Sequence, residues 1–383
     1  ETPELKAFYP THALSTGSEI LFFWVARMIM AGLEFMGEVP FSDVYLHSTV
    51  RDHLARKMSK SLGNGIDPLE VVRRFGADAL RYTVIAAAGV GTDVHLNYQD
   101  LEEAFAPGRN FANKIWNAGR FALMNLEGAE VRPIEEIYDA LEPADRWILS
   151  RLNNATREVT RALEQFRFHE AASTIYHFFW GELADWYLEL IKPRLYGEAT
   201  AESKRAAQST LVAVMDGVLR LLHPIMPFIS EALWLRLPVP VGKSREESLV
   251  IARWPEPRPE WDDAEAEEQL SALMELIGEV RTLRSEYGVA AGAQVEVQLS
   301  NVPPALARAL EVEERAVQRL ARVAEVRRDG APDGRLGARA VLKSGADLFL
   351  PLEGLIDLEK ERARLSAELE RIESQLRSTE ARL

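Results

Sequence analysis

The chain has 383 residues, a formal net charge of −14 and no cysteine. That length accommodates roughly two to four domains, and the missing thiols exclude a disulfide scaffold, a Cys-ligated zinc site and a thiol nucleophile. The acidic balance argues against loose, charge-driven nucleic-acid binding but leaves room for a local basic patch.

The opening ETPELKAFYP has no basic n-region, so no signal peptide is expected and a reducing cytoplasm fits. The most apolar stretch, ILFFWVARMIMAGLEFMG (20–37), carries Arg27 and Glu34. It is short for a span of ~20 apolar residues, so it reads as a buried helix and no membrane is expected. FSDVYLHSTV (41–50) reads as a strand after a turn at Gly37 and Pro40. Asp67 and Pro68 read as N-cap and first helical residue, with Glu70 completing a capping-box pattern and Gly76 as the stop. A second helix follows in ADALRYTVIAAA.

Apolar residues at i, i+3, i+4 and i+7 recur through 105–236, punctuated by Pro193, Pro224, Pro227 and Pro238. This predicts a helical bundle. The Pro- and charge-rich segment 238–263 reads as a long connecting loop. Segment 264–354 alternates helix and strand signals (VEVQLS, AEVRRD, ARAVLK, DLFLPLE) and predicts a small α+β domain. In 355–383, Leu358, Leu365, Leu369, Ile372, Leu376 and Leu383 follow a heptad spacing, with Arg362 and Thr379 filling the seam. A lone heptad helix cannot bury its own stripe, so a partner helix is expected.

The chemistry concentrates in ARKMSKSLGNGIDP (55–68). Lys57 and Lys60 are compact point charges that bind phosphate well. Ser59 and Ser61 add hydroxyl donors, and Gly63 and Gly65 let the backbone move and approach a ligand. A helix N-terminus lies just downstream, a favourable place for negative charge. Together they describe a mobile anion clamp; a solvated basic turn is the bland alternative. The seven histidines contain no HExxH and no tight pair, and no GxSxG or Walker A pattern occurs, so no metal site is expected.

The pentapeptide KMSKS resembles the second signature of class I aminoacyl-tRNA synthetases. TGSEILFFWVARMIMAGLEF, VYLHSTVRD, KMSKSLGNGIDPLEVVRRFGADALR and RNFANKIWNAGRF resemble the valyl group in particular. Isoleucyl and leucyl enzymes carry more polar, His-containing stretches where this chain has FFWVARM. The resemblance implies a valine–tRNA ligase that uses ATP and transfers valine to tRNA(Val). It implies Lys57 and Lys60 as catalytic cations, and His47, Lys57, Met58, Ser59, Lys60 and Ser61 as ATP contacts. Glu19, Ile20 and Trp24 would bind valine, although Trp24 alone reads as core packing. Magnesium is expected only as the counter-ion of ATP, and a cytoplasmic monomer is expected.

On the helices, Arg109, Lys114, Arg120, Asp185 and Trp186 are candidate tRNA contacts, with a solvated face or core packing as alternatives; Tyr187 and Glu189 are further candidates. The expected architecture is multidomain and mainly α. Residues 1–104 form the C-terminal part of a Rossmann-like α/β catalytic domain with the KMSKS loop. Residues 105–263 form an anticodon-binding helical bundle and connecting loop, 264–354 an α+β junction domain, and 355–383 the first helix of a coiled-coil arm. Three departures stand out: Ser48 and Ala55 occupy usual glycine positions, and Glu19 a usual aspartate. The family's His-Ile-Gly-His-like motif and its editing domain do not occur here, so the chain is expected to be the C-terminal part of a longer enzyme. The alternatives are a non-catalytic tRNA-binding or helical scaffold protein of synthetase ancestry, or isoleucyl specificity.

Overall fold

The computed structural model describes residues 2–197, 199–328, 335–356 and 358–380. The chain divides into two compact units, Glu1–Asp262 and Asp263–Leu383.

The first unit opens with helix α1 (Pro3–Phe8) and strand β1 (Thr11–Gly17). A 3-10 turn (Ser18–Ile20) and a π turn (Leu21–Val25) lead into α2 (Ala26–Met36), which Gly37 ends in the left-handed region at φ 77°. Strand β2 (Phe41–His47) pairs parallel with β1, placing Gly17 opposite His47 at their carboxyl ends. The expected strand 41–50 is interrupted: Ser48 and Thr49 separate β2 from the short β3 (Val50–Arg51). Helices α3 (Pro68–Phe75) and α4 (Ala77–Ala87) follow, and β4 (Val94–His95) pairs parallel with β3. Asp67 caps α3 by accepting from Leu69 N–H at 3.0 Å. Glu70 does not complete the capping box; it turns to Arg74, one helical turn on.

Helix α5 (Leu101–Leu126) carries Pro107 in its interior and runs across the expected boundary between residues 104 and 105. The bundle continues with α6 (Ile134–Ile137), α7 (Pro143–Glu164), α8 (Phe168–His177), a ten-residue π segment (Phe178–Tyr187), α9 (Leu188–Leu195), α10 (Ala201–Leu222) and α11 (Pro227–Trp234). Close approach needs glycine at one crossing: a Cβ on Gly108 would lie 2.6 Å from Ala79 O and from Thr83 Oγ1 of α4. Asp78 of α4 accepts from the N–H groups of Phe228 and Ile229 at the start of α11, and Arg81 donates to the carbonyls of Pro224 and Ile225. These bonds join the strand-bearing segment to the bundle.

Segment 238–263 is a strap rather than a free loop. Trp254 Nε1 donates to Thr160 Oγ1 at 2.9 Å, Trp261 is buried, and Asn153 Oδ1 accepts from Arg258 N–H at 2.9 Å.

The largest correction concerns 20–37. The stretch is helical, but it is not buried. Phe22, Phe23, Met30 and Phe35 are exposed, and in α2 only Gly32 is buried. Its hydrophobicity anticipates a cover that the described residues do not provide.

The second unit begins with α12 (Ala264–Glu286), β5 (Val295–Ser300), α13 (Pro304–Ala321) and β6 (Val323–Arg328). Asp329, last in the expected strand AEVRRD, lies outside the described residues. Strands β7 (Gly337–Val341) and β8 (Asp347–Pro351) complete a sheet of order β6-β5-β8-β7, in which β5 and β6 are parallel and the other pairings antiparallel. Helix α14 (Leu358–Glu380) ends the described chain. Its stripe residues Leu369, Ile372 and Leu376 are exposed. Leu383 and the side chains of Leu358, Leu365 and Thr379 lie outside the described set.

Candidate functional site

Ligands of open parallel sheets bind beyond the carboxyl ends of the strands. Here those ends carry Gly17 and His47, and the 55–68 loop lies beside them. Lys57 Nζ forms an ion pair with Glu19 Oε1. The Glu19 carboxylate lies close over Gly17, where a Cβ would come within 2.9 Å of Oε2. The Lys57 hydrogen bond and charge hold the Glu19 carboxyl below its usual value.

The loop is organised by two residues that the sequence reading left out. Asp52 and Asn64 are both buried, and Asn64 Nδ2 donates to Asp52 Oδ2 at 2.9 Å. Asp52 Oδ1 also accepts from the N–H groups of Leu54 and Arg56, and Oδ2 from Arg56 Nε. Burial alone would raise the Asp52 carboxyl, but the bonds from Asn64, Arg56 and Leu54 hold it well below the usual range. Asn64 Oδ1 in turn accepts from Ser59 N–H at 2.9 Å, inside the KMSKS stretch. The available signal was the Asp52-x-x-x-Arg56 spacing and the asparagine after Leu62-Gly63.

The remaining loop groups fall into place around this staple. Ser59 Oγ and Ser61 Oγ lie 3.2 Å apart, and Leu62 N–H donates to Ser59 Oγ. Met58 N–H donates to Val50 O, tying the loop to β3. Lys60 is exposed, and among the described residues its ammonium has no hydrogen-bond or ion-pair partner. His47 Nδ1 lies 3.2 Å from Ser48 O. The structure thus brings Glu19, Lys57 and the strand end of His47 together. Trp24 lies on the π turn, 57% exposed, lining an open 380 Å³ cavity with Phe23, Arg27, Met28 and Ala31; Ile20 is also exposed.

The helical candidates separate into two kinds. Lys114 Nζ pairs with Asp185 Oδ1 at 2.6 Å and lies 5.0 Å from the Trp180 ring centroid, so α5 and the π segment share a polar, aromatic patch. Trp186 is half-buried on the same segment, and Arg120 is exposed on α5. Arg109 instead pairs with Glu102 at 2.6 Å and covers the Phe75 ring. Tyr187 is no surface residue. It is buried and donates to Asp145 Oδ1 at 2.8 Å.

Comparison with known proteins follows this division. Residues 1–97 match the family model for tRNA synthetases class I (I, L, M and V), and residues 145–299 match the anticodon-binding domain of tRNA ligase. The valine–tRNA ligase of Carboxydothermus hydrogenoformans is 45% identical over 97% of this chain, which covers 41% of that protein. The chain is thus similar to class I aminoacyl-tRNA synthetases of the valyl group. The valine–tRNA ligase of Thermotoga maritima is 44% identical over all of this chain, which covers 42% of that protein. The chain therefore spans about two fifths of the length of the curated relatives it matches. In fold it is similar to LeuRS of Agrobacterium radiobacter K84, solved as a ternary complex with tRNA and LeuAMS. That likeness has a TM-score of 0.50 at 20% identity, covering 81% of this chain and 35% of that one.

Proposed function

We propose that this chain supplies the ATP-clamping loop and the RNA-binding bundle of a valine–tRNA ligase. The observation that carries the reading is the KMSKS loop stapled by Asp52 and Asn64 beside the carboxyl ends of a parallel strand pair, with the Lys60 ammonium unpaired.

In the first step a carboxylate oxygen of valine bonds to the α-phosphorus of ATP, and the bond to pyrophosphate breaks. Negative charge grows on the leaving pyrophosphate. Lys60 faces that charge as a fixed cation; the loss of one such contact costs about 3–4 kcal/mol of barrier. Lys57 reaches it only after exchanging Glu19 for phosphate. Ser59, Ser61 and Met58 set the loop's path, and His47 marks the edge that the adenine approaches. Closure of the loop is a gating step. In the second step a ribose hydroxyl at the tRNA terminus takes the acyl group and AMP leaves.

Ile20 and Trp24 supply apolar surface for the valine side chain, and Glu19 a carboxylate for its ammonium. Lys114, Asp185, Trp186 and Arg120 form the tRNA-facing patch of the bundle, and Arg109 acts through its pairing at the head of α5. Magnesium would arrive on the nucleotide phosphates; among the described residues no cluster of three or more His, Asp or Glu could hold a metal ion. No described helix is long and apolar enough to cross a membrane. We read the working protein as a cytoplasmic monomer with α14 as one helix of a coiled-coil arm.

The test is a chimera in which this chain replaces the matching stretch of a characterised valine–tRNA ligase. Valine-dependent ATP–pyrophosphate exchange is expected, and Lys60→Ala should lower its rate by about 10²–10³ while tRNA affinity stays within twofold. A folded chimera that exchanges with isoleucine instead, or with no amino acid, would sink the reading.

A further inference from the structure

The second unit holds an arginine cluster that the reading above does not use. Arg281 and Arg284 lie near the end of α12, and Arg322 follows the end of α13. With Ser285 they line an open cavity of 220 Å³, and no acidic side chain is among its lining residues.

Arg284 is the informative member. It is 8% exposed. Its Nη2 donates to Ala290 O at 3.1 Å, but its Nη1 is buried and has no hydrogen-bond partner among the described residues. A buried charged donor without an acceptor is costly. Burial first, and the Arg322 charge second, push the Arg284 guanidinium below its usual value. Arg322 itself is exposed, held in the left-handed region at φ 54°.

Helix ends account for part of this charge. Arg281 Nε donates to Leu320 O at the end of α13. Two helix C-termini together present about −1 of partial charge. Arg284 and Arg322 alone bring two positive charges. Helix capping explains the bonds to Leu320 and Ala290; it does not explain a buried Nη1 with no acceptor.

We propose that this cavity is a phosphate site and that a backbone phosphate of bound RNA occupies it. Arginine forks pair with two phosphate oxygens at once. Arg281, Arg284 and Arg322 line the cavity, and the Ser285 hydroxyl adds a further donor. The phosphate chemistry stands on the cavity alone; only its source rests on the RNA-binding reading.

Two measurements on the full chain separate these claims. The first is calorimetric titration with inorganic phosphate at low salt. Saturable binding is expected, weakened about tenfold by Arg322→Asn; asparagine tolerates the left-handed backbone and should leave the melting temperature unchanged. Arg284→Gln is the second variant, with its fold checked by circular dichroism. The second measurement is fluorescence anisotropy with a tRNA(Val) transcript across a salt series. Arg322→Asn should lower affinity and reduce the slope of log K against log salt by roughly one.

Phosphate binding together with a reduced slope supports the proposal. Phosphate binding with an unchanged slope overturns the RNA source and leaves a free-oxyanion site. No phosphate binding and no change in slope overturns the site. A wild-type chain that binds phosphate but no tRNA counts against the RNA-binding reading, not against the cavity.

Discussion

At the scale of single residues, the loop carries its own strain and its own switch. Ala55 adopts φ +61° in the turn that leads into the first lysine. A side chain in that region costs ~1–2 kcal/mol, offset in part by the greater freedom of glycine in the unfolded chain. Ala55→Gly should therefore stabilise the first unit by about 0.5–1 kcal/mol, read from urea unfolding midpoints; an unchanged or lower midpoint would contradict the strain. Asp52 makes the loop sensitive to acid. Its ionised form accepts the stapling bonds, and its folded value lies below the ordinary one. The contribution is complete above the ordinary aspartate value of ~3.9 and erodes as pH falls beneath it. The unfolding midpoint of the wild type should drop as pH falls below about 4, and that of Asp52→Asn should start lower and drop less. The lysines and glycines of KMSKSLGNG were legible because their chemistry is local. The Asp52–Asn64 staple spans twelve positions and becomes visible only when the loop closes on itself.

At the scale of elements, the bundle is pinned by one buried charge network. Arg194 of α9 donates to Asp145 of α7 at 2.8 Å, and Tyr187 donates to the same carboxylate. Burial pushes the Tyr187 hydroxyl well above its usual value, and the Asp145 charge adds to this. Ser203 of α10 joins through Arg194 Nε at 2.9 Å. Removing one member strands the others without solvent. Asp145→Ala should cost about 3–5 kcal/mol, followed through the fluorescence of Trp147, which is buried on the same helix; a loss under 1 kcal/mol would mean that water enters and replaces the carboxylate. Helix periodicity predicted these elements well, because each buries one apolar stripe. Their interruptions were not legible. The π segment at 178–187 aligns Phe178, Phe179, Leu183 and Tyr187 inward while leaving Asp185 outside. That choice depends on what packs against it. The strap 238–263 looked like a loop for a related reason: its anchor Trp254 bonds Thr160, 94 positions away, and Trp261 is buried beyond what local pattern shows.

At the scale of the whole molecule, two apolar surfaces share a logic. The 20–37 stretch and the α14 stripe are both strongly patterned, and both stand exposed among the described residues. A pattern reports the face a segment is built to bury, not the element that buries it, so sequence alone read the first as core and the second as awaiting a partner. For α14 the exposed Leu369, Ile372 and Leu376 imply that the rest of the chain does not depend on it for stability. Removing residues 355–383 should leave the melting temperature of the remainder within about 2 °C, since a change under ~0.5 kcal/mol moves a chain of this size by no more than that. In the chimeric ligase the same truncation should spare valine-dependent ATP–pyrophosphate exchange, because the KMSKS loop and the Asp52–Asn64 staple lie in the first unit. It should weaken tRNA(Val) binding if the helix is part of an RNA-contacting arm. A large fall in melting temperature would show that the stripe is covered within the chain. Unchanged tRNA affinity would separate α14 from RNA binding and leave its apolar stripe to a protein partner.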